Sequence, residues 1–169
     1  MTRRAVVQKW ILYSLCTLAL VLVQSLLLVR VQVWGVHPFL LPAIAVIPVT
    51  LERDEGELLF SVFFGLACDL LTPVAGLPCF YALAFLVSGG LAWLLSGRVV
   101  AAGLVCSLAA AASALVVCGV LHLAVLAGSQ SVDVTAAAVL AGKEAALSLP
   151  LTVLVHYPFR RICLLTQRD

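Results

Sequence analysis

The chain has 169 residues, 64% hydrophobic and 11% charged, with a formal net charge of +2 and a mean hydropathy of +1.19. A soluble domain carries about 25% charged and 45–50% apolar residues, so a water-solvated globule is excluded and an integral membrane protein is expected. The basic residues sit at span ends rather than on one surface, which offers nothing to a nucleic acid. At about 20 residues per span, a single domain, residues 1–169, holds about six transmembrane helices.

Thr2-Arg3-Arg4 and Lys9 precede an uncharged run from Trp10 to Val29. At 1.5 Å per residue this run reaches about 30 Å, the thickness of the hydrocarbon core, and residues 10–29 are the first predicted span. A secretory signal has a shorter apolar region and a small-residue cleavage site. This run ends in Leu27-Leu28-Val29-Arg30 and is expected to stay in the protein. Trp34 suits the headgroup level. The second span, 36–51, carries Pro38, Pro42 and Pro48. Proline removes an N–H and clashes with the preceding turn, so this span is expected to be irregular, short and buried among neighbours that re-satisfy its backbone. Glu52-Arg53-Asp54-Glu55-Gly56-Glu57 is the densest charge run and is predicted to be an aqueous loop.

Spans 58–71 and 79–96 follow, joined by a turn from Thr72 to Pro78. Asp69 is the one charge between Leu58 and Leu95. A lone carboxylate costs roughly 2.5–3.5 kcal/mol at the centre of a membrane helix, so Asp69 either faces protein or is wetted at the helix end. Ser61, Gly65 and Asp69 recur every fourth residue and share one helix face. That small, polar stripe suits close helix contact in a bilayer, and with Gly76 in the turn it is the candidate partner-binding surface.

The fifth and sixth spans are 100–127 and 134–159, with small-residue stripes at Gly103, Ser107, Ala111 and at Ala138, Gly142, Ala146 and a kink expected at Pro150. Lys143 and Glu144 are intramembrane polar candidates. If the last helix starts at Val134 they lie near mid-membrane; if it starts near Gly142 they lie at the outer interface, where snorkelling makes them inexpensive. With six spans and a cytoplasmic N-terminus, Arg3, Arg4, Lys9, Arg53, Arg98, Arg160, Arg161 and Arg168 fall inside and Arg30 alone outside, so both termini are expected in the cytoplasm. His37, His122 and His156 fall near span ends and in different leaflets, which does not suit one haem iron. The cysteines are scattered, and no cofactor, metal site or disulfide is expected. No nucleophilic triad, carboxylate pair or phosphate loop is present in the sequence, so a reaction class has no support and the chain is read as no enzyme.

Gly65-Leu66-Ala67-Cys68-Asp69-Leu70-Leu71, a short turn, Gly76-Leu77 and an apolar helix together resemble the bacterial rod shape-determining protein MreD family. A basic N-terminus, a Pro-rich second span, a charged loop before the third, and a last span with Glu144, Pro150 and Arg160-Arg161 agree with that resemblance. It implies a non-enzymatic scaffold of the cell-elongation and peptidoglycan-synthesis complex in the bacterial cell membrane. The implied partners are MreC, a bitopic protein, and through it a RodA-type glycosyltransferase, a class B penicillin-binding protein and the MreB filament. The family's fold is thought to be similar to the S components of energy-coupling-factor vitamin transporters. The alternative is therefore an S component, which would enclose a small molecule in an outward pocket. Gln130, Ser131 and Asp133 are its main polar candidates, and Ala19 followed by Val23 departs from the Ala-xxx-Ala face such components present.

Overall fold

In the computed structural model, residues 3–52, 55–72, 79–98, 103–128 and 134–166 are described. They form α1 (Arg3–Leu26), a 3-10 turn (Leu28–Arg30), α2 (Leu41–Leu51), α3 (Glu55–Leu71), α4 (Phe80–Arg98), α5 (Leu104–Gly128) and α6 (Val134–Thr166). The fold is an all-α membrane helix bundle. Val6–Arg30, Leu104–Gly128 and Thr135–Thr166 are long and apolar enough to cross a bilayer, and Leu41–Leu51 and Phe80–Ser96 are shorter apolar helices.

The prolines set the character of α2. Pro42 sits in the first turn, where its missing N–H would have been unpaired anyway. Pro48 lies inside the helix, and the helix ends at Leu51. Every residue from Pro42 to Thr50 is buried, so α2 is short and interior as expected, though it is a regular helix over Leu41–Leu51 rather than an irregular segment over 36–51. This helix lies against each of the other five, whereas those five meet only in the order α1, α6, α5, α4, α3. The architecture is a ring around an apolar axle of Ile44, Val46, Ile47 and Val49.

The ring is open between its first and last members. No Cα of α1 comes within 8 Å of one in α3, beyond the reach of packed helices. Aromatic side chains bridge the opening at one end, where Trp10 meets Phe60, Tyr13 meets Phe60, and Phe60 stacks on Phe64 at 6.2 Å between centroids. That end, the Lys9 end, also holds Glu52 and Glu57.

At the other end, the connection before α2 is held by Gln24 of α1. Its Nε2 donates to the Pro38 carbonyl (2.8 Å), and its Oε1 accepts from the Leu40 N–H (3.2 Å). Trp34 and Gly35 take left-handed φ values of 56° and 79° between Val33 and Val36, which exchange backbone hydrogen bonds. Such a pair of left-handed residues makes a tight reversal. It leaves Trp34 exposed.

Candidate functional site

The stripe on α3 is engaged within the chain. Ser61 is buried and donates to the Ala45 carbonyl of α2 at 2.5 Å. Gly65 faces the start of α4 so closely that a Cβ there would lie 2.6 Å from Ala82 Cα and 2.7 Å from the Tyr81 oxygen. Only a residue without a side chain fits. One turn on, the Asp69 carboxylate accepts from the backbone N–H groups of Tyr81 (2.8 Å) and Ala82 (2.9 Å). These are unpaired first-turn donors of α4, so Asp69 caps a helix other than its own, with its charge at the positive end of the dipole. The carboxylate therefore faces protein, but the protein is its own chain. Ser61, Gly65 and Asp69 set the register of the α3–α4 hairpin rather than presenting an open surface; Gly76 lies outside the described residues. Asp69→Ala is expected to lower stability by about 0.5–2 kcal/mol, with Asp69→Asn retaining more, measured as thermal midpoints of the purified variants in detergent.

A second set of groups corrects the reading of residues 52–57 as an aqueous loop. Glu52 caps the C-terminus of α2, α3 begins at Glu55, and Glu57 is fully buried. Lys9, which falls before the first predicted span, lies inside α1 and is buried too. Its Nζ donates to Glu52 Oε2 and, at 2.5 Å, to Glu57 Oε1. Tyr13 donates to Glu52 Oε1 at 3.3 Å, and the ammonium lies 5.8 Å and 5.7 Å from the Trp10 and Tyr13 ring centroids. Buried charges need such pairing. Lys9 here ties three helices together where the ring is open, and Glu57 Oε2 is buried without a hydrogen-bond partner among the described residues. The clue in the sequence is Lys9 one helical turn before Tyr13, continuous with an apolar run that has no break between them.

His156 is likewise interior rather than interfacial. Its Nδ1 meets Ser107 Oγ at 2.9 Å, and that hydroxyl meets Thr50 Oγ1 at 3.0 Å. The network joins α6, α5 and α2.

Lys143 and Glu144 sit ten residues into α6, about 15 Å from its start, yet they are not at mid-bundle. The Phe39 N–H donates to Ser148 Oγ (2.8 Å), Phe80 meets the His122 ring at 5.3 Å, and Phe39 meets Tyr81 at 6.3 Å. These contacts put the tips of α2 and α4 level with Ser148 and His122. Beyond them α5 and α6 continue as a projecting pair. Lys143 is exposed, and Glu144 is half-buried at the level of the tips. It borders a cleft of about 320 Å³ between α5 and α6, lined also by Phe39, Tyr81, Gly119, His122 and Ala141. Gln130, Ser131 and Asp133 lie outside the described residues.

The fold and these sites define a class, a polytopic membrane protein of the helix-bundle type. Comparison with family models, with curated proteins and with solved structures finds no match.

Proposed function

We propose that this chain is a non-enzymatic scaffold of the rod shape-determining MreD type in the bacterial cell membrane. In this reading both termini are cytoplasmic, and the Lys9 end faces the cytoplasm. A single membrane helix of an MreC-like partner lies along the opening between α1 and α3, and connects the chain to the RodA-type glycosyltransferase, the class B penicillin-binding protein and the MreB filament.

The observation that supports it is the incomplete ring. On α3, the residues that follow Gly56 and Phe60 along the α1 side are Phe63, Ala67 and Leu71, at spacings of three and four; all three are exposed. On α1, the face of Trp10 continues through Ser14, Thr17 and Val21. Of these, Ser14 is exposed, Val21 half-buried and Thr17 buried, so Ser14 and Val21 line the opening on this wall. Small residues on both walls, Ser14 and Ala67, let a third backbone approach.

The test is affinity recovery of a co-expressed MreC-like protein from solubilised membranes. Ala67→Trp, which blocks the opening, is expected to remove most of the recovered partner. Val116→Trp, on α5, which touches neither α1 nor α3, and already exposed, is expected to leave recovery unchanged. Full recovery with Ala67→Trp in a folded protein defeats this placement of the partner.

A further inference from the structure

We propose that the cleft between α5 and α6 is a binding site for a small molecule carrying a protonated amine on an apolar body. The inference is independent of the scaffold reading and of the α1–α3 opening. Three features on the walls carry it.

The first is charge. The Glu144 carboxylate is half-buried and makes no hydrogen bond or ion pair with any described residue. Lys143 is its chain neighbour, but adjacent helical residues point about 100° apart and Lys143 is exposed. The basic side chain within electrostatic reach is His37, whose Nε2 lies 3.2 Å from Gln32 Nε2. An unpaired carboxylate in a largely apolar recess is costly unless it takes up a proton or a cation joins it.

The second is the nature of the other walls. Phe39 and Tyr81 contribute aromatic rings and His122 an imidazole, surfaces that favour an ammonium over a neutral or anionic group. The third is space. Gly119 of α5 faces Ala141 of α6, and a Cβ on Gly119 would meet only the Ala141 Cβ, at 3.8 Å. Small residues on both helices hold the recess open. At about 320 Å³ it falls at the low end of ligand sites, which run from about 300 to 1,000 Å³. A compact amine fits that volume, and so does the headgroup of an ethanolamine lipid.

Phenethylamine is the probe, titrated calorimetrically into the full chain in phosphatidylcholine nanodiscs, with phenethyl alcohol as its uncharged counterpart. The amine is expected to bind at least about tenfold more tightly than the alcohol, and Glu144→Gln to erase that preference, since a hydrogen bond to a charged group is worth about that much. Gly119→Leu, whose Cβ would meet only the Ala141 side chain, fills the recess and is expected to abolish binding of both compounds while the thermal midpoint stays near that of the parent. Repetition in phosphatidylethanolamine nanodiscs separates the sources. A weaker apparent affinity there assigns the site to the lipid headgroup, and an unchanged one assigns it to a soluble amine. Equal binding of amine and alcohol, full affinity in Glu144→Gln, or no binding of the amine to the parent protein overturns the proposal.

Discussion

Lys9→Met is expected to destabilise the folded chain by about 3–5 kcal/mol, the cost of removing one partner from a buried ion pair. The loss is large because of what remains. Glu57 is fully buried and Glu52 partly so, and without the ammonium two carboxylates face one another with no cation between them, Glu52 keeping its bonds to the Tyr13 hydroxyl and the Cys163 thiol. The contribution of the cluster is therefore not the attraction within it but the penalty of leaving it incomplete. Removing Lys9 and Glu57 together behaves differently. Lys9→Met combined with Glu57→Met is expected to recover much of the loss, because buried pairs exchanged for well-packed apolar groups are often neutral or better. Unfolding in mixed micelles measures both. A Lys9→Met variant within about 1 kcal/mol of the parent, the range of a surface pair, means that water reaches the cluster.

Gly65 carries the second large effect. The atoms that a Cβ would strike are the Ala82 Cα and nitrogen and the Tyr81 oxygen, all backbone, at 2.6–2.8 Å, so no side chain can rotate away. Gly65→Ala is expected to cost about 1–3 kcal/mol through overpacking, and Gly65→Leu to prevent the hairpin from closing, read as loss of folded protein from the membrane fraction. The displaced backbone is the same segment that Asp69 caps. Gly65→Ala and Asp69→Ala are therefore expected to be non-additive, the double variant losing less than the sum of the singles. Strict additivity in a double-mutant cycle would show that helix contact and cap act separately.

The parts of this architecture that depend on local pattern were readable from the sequence. Apolar runs gave the helices, and three prolines pointed to an interior α2. The uses of polar residues were less readable, for a common reason: each is decided by a group far away along the chain. Asp69 shares a stripe with Ser61 and Gly65, and periodicity says only that they face one way. That the facing object is the first turn of α4 depends on how the chain reverses after Thr72. Glu57 looks solvated because five polar or flexible residues precede it, yet Lys9 of another helix makes burial tolerable. His156 looks interfacial by its nearness to Arg160, until Ser107 is found beside it. The depth of Lys143 and Glu144 was open in the sequence for another reason. Counting from the helix start assumes that helices begin at a common plane, and α6 begins well beyond the tips of α2 and α4.

The brevity of α2 constrains how the molecule is made. Eleven residues extend only about 16 Å as a helix, roughly half a hydrocarbon core. A segment this short has no stable transmembrane position by itself. During synthesis it has to wait at the translocon or in the interface until α4, α5 and α6 emerge to enclose it. The protein's centre is thus expected to settle after the helices around it although it is translated before most of them, and a ribosome pause before α5 would hold the nascent chain with its axle unhoused.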